Sequence, residues 1–260
     1  MRDFDAFLTL VDSAQVFHFE KVDGVYAACV GGRVLTQNDE DPFAKHYFDD
    51  ERDYGRLINK ENLDEKTKRA ISALPGLRVL NQPVWEALCA FILSANNNVK
   101  RIRLSVSLLN QRYGYALEYK GRMLYGFPSA GGLAGLSEAE LQKEIRCGYR
   151  AKYLIQTARM VMDGFDLEGL KSVSYDEARK RLMELSGVGG KVADCVALFG
   201  LGHASAFPVD VWVKRLMANW YSVEGTPDVV RKEARRMFGE DCGIYQQSLF
   251  HAARTGIIKV

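Results

Sequence analysis

The sequence predicts an α+β fold: a small N-terminal antiparallel β-sheet domain over residues 1–74, then two mostly helical domains over 75–186 and 187–260. Three observations carry that expectation. Residues 14–37 hold β-rich runs parted by the two-residue turns Asp23-Gly24 and Gly31-Gly32, a hairpin pattern. From Pro75-Gly76 onward, apolar residues recur at spacings of three and four. The charge changes sign at the same boundary. Residues 1–74 carry 10 Lys/Arg against 15 Asp/Glu, a net −5, and residues 75–260 carry 25 against 18, a net +7.

Within 14–37, Phe17 and Phe19 alternate with polar neighbours, Val25–Val30 is apolar and 33–37 closes the set. Residues 38–53 are charged and read as a loop or the approach to a helix. Past Pro83, a tolerated first-turn proline, Trp85, Leu88, Cys89, Ile92 and Leu93 share one helical face, which Asn96-Asn97-Asn98 ends. Residues 99–113 form the next expected helix, with Ile102, Val106 and Leu109 in register. The glycine-rich stretch 121–135 reads as loop. Ser137 with Glu140, and Ser174 with Glu177, have capping-box spacing, so helices are expected over 138–147 and 175–185. Further helices are expected over 191–201, 211–220, 227–238 and 243–254.

Composition bounds the function. A chain of 260 residues, 47% apolar and 26% charged, is long enough for one large core or several small ones. No apolar run reaches the ~18 residues of a membrane span. No basic stretch precedes an apolar one at the start, so a signal peptide is not expected and the place of action is cytoplasmic, nucleoid-associated, or nuclear. Cys29, Cys89, Cys147, Cys195 and Cys242 are scattered without a C-x-x-C pair, and the four His form no ligand-spaced cluster. No metal and no cofactor are therefore expected. A basic portion joined to an acidic one points to a polyanionic partner, against the alternative of ordinary solvated surface.

The stretch Leu185-Ser186-Gly187-Val188-Gly189-Gly190-Lys191 carries the chemistry. One helix runs into a glycine turn and a second begins at once. Closely spaced glycines leave backbone N–H groups uncovered. Beside a helix N-terminus these bind an anion such as a DNA phosphate. Lys191 falls in the first turn of the second helix, where the dipole opposes a cation and so favours the neutral, nucleophilic amine. Asp210, in Pro208-Val209-Asp210, stands at the N-cap of the following helix. Each residue has a plain alternative, a solvated lysine and a helix cap. Together around a glycine hairpin they point to catalysis.

Gly187 to Cys195 followed by Pro208-Val209-Asp210 resembles the helix-hairpin-helix DNA glycosylases, specifically the eukaryotic-type 8-oxoguanine DNA glycosylase family. The fold expected is then the α+β architecture above with a helix-hairpin-helix motif. The likeness extends to Leu93–Ile102 with its three asparagines, to Tyr125–Ser129, to Gly148–Tyr153 and, in degenerate form, to Ser13–Phe19. It implies Lys191 as the nucleophile on the sugar C1′ and Asp210 as its carboxylate helper. Lesion binding falls to Ala14, Cys195, Gln246 and Phe250. DNA contacts fall to Asn96, Arg101, Tyr149, Arg150, Gly187, Gly189 and Val192. The implied partner is double-stranded DNA containing oxidised guanine opposite cytosine, met by a monomer.

Two departures from that pattern stand out. The family's lesion-reading glycine is Ala14 here, and a His expected to contact phosphate is Trp212. Two rival readings remain open on sequence. A pyrimidine-specific relative commonly carries a four-cysteine iron–sulfur cluster near its C-terminus, where this chain has Cys242 alone. A non-catalytic DNA-binding module has no need of Lys191 and Asp210 together.

Overall fold

The computed structural model describes residues 4–60 and 63–259. Strands β1 (Glu20–Val22), β2 (Val25–Val30) and β3 (Arg33–Thr36) form an antiparallel meander. The expected turns join them. Asp23-Gly24 and Gly31-Gly32 all have positive φ, between 47° and 84°, as a two-residue hairpin turn requires. The register pairs Glu20 with Ala27 and Ala28 with Leu35.

Helix α1 (Pro42–Tyr47), capped by Asp41, covers one face of the sheet with Tyr47, beside Phe48, Leu10 and Leu80. Short α2 (Tyr54–Ile58) and α3 (Glu65–Ser72) follow. The other face meets a second, two-stranded sheet, β4 (Ala116–Tyr119) and β5 (Arg122–Tyr125), through Val22, Ala27, Cys29 and Leu124.

Helix α4 (Val84–Ser94) is buried around its whole circumference except at Trp85, so it is a core helix rather than a surface one. Around it pack α5 (Val99–Tyr113), α6 (Ala130–Ala134), α7 (Glu138–Ile145), α8 (Arg150–Met162), α9 (Tyr175–Leu182) and α10 (Gly190–Phe199). Phe91 stacks on Phe199 at 5.4 Å between ring centroids, joining α4 to α10. A separate core unites α11 (Val211–Tyr221), α12 (Pro227–Phe238) and α13 (Cys242–Arg254) with Leu63, Ala70, Leu74 and Leu77. The cores therefore cut across the boundaries drawn from the sequence. Residues 63–77 pack with the C-terminal helices, and α10 packs with α4.

Three local expectations need correction. Residues 14–19 form no strand; Phe17 and Phe19 are buried in different cores, which pulls this segment out of a ladder. The stretch 121–135 is not loop throughout. It contains β5, paired to β4 across Lys120-Gly121, and α6, capped by Ser129 on the Gly132 N–H at 3.1 Å. The capping boxes are half made. Ser137 accepts the Glu140 N–H at 3.2 Å, but the Glu140 carboxylate accepts from the Tyr113 hydroxyl instead.

Candidate active site

Five separated segments meet in one cleft, lined by Ala14, Phe91, Lys191, Cys195, Phe199, Pro208, Asp210, Gln246, Gln247 and Phe250. Both predicted catalytic residues and all four predicted lesion-binding residues stand in that lining. The cleft has about 50 Å³ of free volume.

Lys191 is half-buried in the first turn of α10. Its ammonium donates to Ser94 Oγ at 3.3 Å and lies 5.5 Å from the centre of the Phe91 ring. Asp210 caps α11, accepting the Val213 N–H at 2.8 Å. Burial pushes its carboxyl above the usual carboxylate range, while the Val213 N–H and the Lys191 charge pull it back. Burial likewise pushes the Cys195 thiol up to about 11, against the pull of Lys191, so it is a neutral packing group.

Gln246 donates its amide to Pro208 O at 3.0 Å, while its Oε1 is buried without a partner among the described residues. An unsatisfied buried acceptor costs free energy unless a ligand meets it. Phe250 is half-buried, with the Arg254 guanidinium 5.8 Å from its ring centre. Ala14 has φ of 59°, a conformation that suits glycine and strains alanine.

The hairpin beside the cleft has the expected form. Gly187 has φ of 76°, and a Cβ there would stand 2.4 Å from the Tyr153 ring. Gly189 faces open space at the N-cap of α10. The first backbone bond into the helix runs from Ala193 N to Gly189 O. The N–H groups of Gly190, Lys191 and Val192 thus have no backbone acceptor among the described residues. The Val192 side chain is buried, which leaves its N–H as the group it can present to an anion.

Asn96, Arg101 and Tyr149 lie on the surface. Asn96 takes φ of 49° at the tip of its turn, and Tyr149 is 51% exposed. Arg150 departs from expectation, because its fork faces inward. Nε donates to Ala95 O at 2.7 Å, Nη1 to Cys147 O at 3.1 Å and Nη2 to Asn96 O at 2.7 Å. It is 5% exposed, so in this structure it braces the Asn96 turn and underlies the Tyr149 ring at 4.6 Å instead of presenting donors outward. Trp212 is half-buried, with the Arg215 guanidinium 5.5 Å from its ring centre.

Sequence reasoning missed the support under the hairpin. Asp194 accepts from the Tyr175 hydroxyl at 2.6 Å and from Arg179 Nε at 2.8 Å, tying α10 to α9. Burial raises its carboxyl to about 6 against those donors. Arg179 passes so close to Gly190 that a Cβ there would meet its guanidinium at 2.5 Å. Local pattern held no signal for this network, since the partners lie 15 and 19 residues away. Among the described residues no group of three or more His, Cys, Asp or Glu is placed to hold a metal ion, and no helix is long and apolar enough to cross a membrane.

Comparison with known proteins gives the family. Residues 89–240 match the model of the HhH-GPD superfamily base excision DNA repair proteins. A probable N-glycosylase/DNA lyase of Methanothermobacter thermautotrophicus is 34% identical over 216 residues, 75% of this chain and 69% of that one. The N-glycosylase/DNA lyase of Saccharomyces cerevisiae is 34% identical over 169 residues, 60% of this chain and 45% of its own length. The Clostridium acetobutylicum 8-oxoguanine glycosylase/lyase, solved with DNA containing cytosine opposite 8-oxoguanine, superposes with a TM-score of 0.90 at 31% identity. That match covers 99% of this chain and 94% of that one. MBOgg1, solved with a low-affinity DNA ligand, superposes with a TM-score of 0.91 at 34% identity and the same coverage.

Proposed function

The chain belongs to the HhH-GPD superfamily of base excision DNA repair proteins, and from that membership we propose that it is a bifunctional glycosylase and lyase that excises 8-oxoguanine from duplex DNA, preferably opposite cytosine. The observation that carries this reading is the convergence of Ala14, Lys191, Cys195, Asp210, Gln246 and Phe250 on one cleft from four separate segments.

A base inside a duplex is out of reach, so it must be flipped, at a cost of a few kcal/mol. Tyr149, exposed above the turn that carries Asn96, fills the vacated stack. Asn96 and Arg101 meet the orphaned base. The free N–H groups at the hairpin, between Gly187 and Val192, hold a backbone phosphate. In the cleft, Phe250 and Cys195 sandwich the base, and Gln246 Oε1 gains the donor it lacks. The Ala14 carbonyl accepts the N7–H that 8-oxoguanine has and guanine lacks.

Lys191 Nζ then forms a bond to C1′ as the C1′–N9 bond breaks, and the departing base takes up a proton. Ring opening gives a Schiff base between Nζ and C1′. Loss of a C2′ proton expels the 3′ phosphate, and water releases Lys191. Asp210 orients Lys191, takes up its proton or stabilises oxocarbenium-like charge. The reading is of a monomer acting on DNA.

The test is chemical trapping. Borohydride added during turnover on an 8-oxoguanine duplex should leave wild-type protein covalently joined to DNA. Lys191→Gln should bind the duplex yet give no adduct, because an amide forms no imine. An adduct from Lys191→Gln at the wild-type rate overturns the assignment.

A further inference from the structure

A helical turn, Leu8–Asp12, runs into the bend Ser13–Gln15, where Ala14 lines the cleft, and side chains from three other segments grip carbonyls of residues 11–15. Val11 O accepts from Arg103 on α5. Asp12 O accepts from Arg254 on α13 at 2.5 Å, and Ser13 O from Gln247 on α13 at 2.9 Å. Gln15 O accepts from Gln82, just before α4, at 2.8 Å. Gln15 is fixed at its other end too, donating to Arg78 O at 2.8 Å and accepting the Leu80 N–H at 2.8 Å. The carbonyl left over is that of Ala14, which has no donor among the described residues and belongs to a residue that lines the cleft.

The arrangement brackets one peptide group. Holding Ser13 O fixes the peptide plane before Ala14, and holding Gln15 O fixes the plane after the Ala14–Gln15 unit. Such holding is needed, because Ala14 sits at φ of 59°, which costs an L-residue about 1–2 kcal/mol and would relax if the flanking planes were free. Gln247 is 3% exposed, so its bond to Ser13 O is shielded from water. Its neighbour Gln246 turns to the cleft with a free Oε1, so one turn of α13 supplies both a group for the base and the brace for the facing loop.

We propose that Gln247 is a positioning residue for base recognition, holding the Ser13 carbonyl so that the unpaired Ala14 carbonyl is preset as an acceptor for the N7–H of 8-oxoguanine. Gln247 touches no reacting atom; it acts through Ala14. The inference rests on the glycosylase reading above. It also accounts for alanine at a position that favours glycine. A backbone held on both sides tolerates the strain, and the strain in turn makes the brace necessary.

Two substrates separate this role from plain structural support. An 8-oxoguanine duplex needs base recognition before Lys191 can act. A duplex with a preformed abasic site presents C1′ with no base to read. Gln247→Met keeps the volume and removes the donor. Single-turnover excision of 8-oxoguanine should fall about tenfold, the scale of one shielded hydrogen bond, while cleavage at the abasic site stays within about twofold. Gln82→Met frees the plane on the other side of Ala14 and should give the same split, which keeps the test sound if one variant folds poorly. A parallel fall on both substrates, or no fall on either, overturns the inference. Wild-type protein that cleaves the abasic site but leaves 8-oxoguanine in place overturns the glycosylase reading itself, and this inference with it.

Discussion

Asp210 holds two positions at once, the cap of α11 and a wall of the cleft that holds Lys191. The two roles separate by experiment, because asparagine caps a helix about as well as aspartate but carries no charge. Asp210→Asn should keep the melting temperature and DNA binding while single-turnover excision falls about 10²-fold. The pH profile adds a second readout. Burial raises the Asp210 carboxyl, so on acidification it takes up its proton at a higher pH than the ~3.9 of a free aspartate. Activity that needs the carboxylate must then fade from a correspondingly higher pH. The wild-type rate should show that acid limb and Asp210→Asn should lack it. The same limb in both proteins would assign the titration to another group.

At the scale of elements, the glycine hairpin shows why two neighbouring glycines are not equivalent. Gly187 is required twice over, by its φ of 76° and by the Tyr153 ring, 2.4 Å from where a Cβ would stand. Gly189 meets neither constraint. Gly187→Ala should cost about 1–2 kcal/mol in backbone strain alone, with the clash added. That lowers the melting temperature by roughly 2 °C or more for a chain of this size. DNA affinity should fall with it, since the turn aims the free N–H groups of α10. Gly189→Ala should melt close to wild type. Calorimetry on both variants decides the matter, and equal melting temperatures would show that the hairpin yields at no cost. Arg150 teaches a related lesson. An arginine expected at the DNA surface is spent on three carbonyls, which fixes the turn that displays Asn96 and Tyr149.

Over the whole molecule, charge and cores divide differently. With a net +7 over residues 75–260 against −5 over residues 1–74, the phosphate contacts are expected in residues 75–260. Affinity for duplex DNA should drop about 10³-fold or more between ~50 and ~200 mM salt, given about six or more phosphate contacts. Fluorescence anisotropy across that range checks it. A flat response would leave the basic part without a role in binding. The cores follow no such division. Residues 63–77 join α11, α12 and α13, and residues 11–15 are held by α5 and α13, so the N-terminal segment is built into the cleft rather than appended to it.

What the sequence determined by itself was whatever depends on neighbours along the chain. The two positive-φ hairpin turns, the glycine turn before Lys191 and the cap at Asp210 are local, because turn and cap chemistry acts over two to four residues. The shared cleft of Ala14, Cys195, Gln246 and Phe250 was legible only through family resemblance. Periodicity alone reads Cys195 and Phe250 as core. Tertiary structure decided the rest. It paired β5 with β4 inside a glycine-rich stretch, turned Arg150 inward and set Asp194 between Tyr175 and Arg179. It brought Gln247 to Ser13, 234 residues away, and left the Ala14 carbonyl without a donor among the described residues. A hydrogen bond between distant residues leaves no period and no spacing in the chain. It exists once burial has brought both groups out of water and each has only the other to satisfy it.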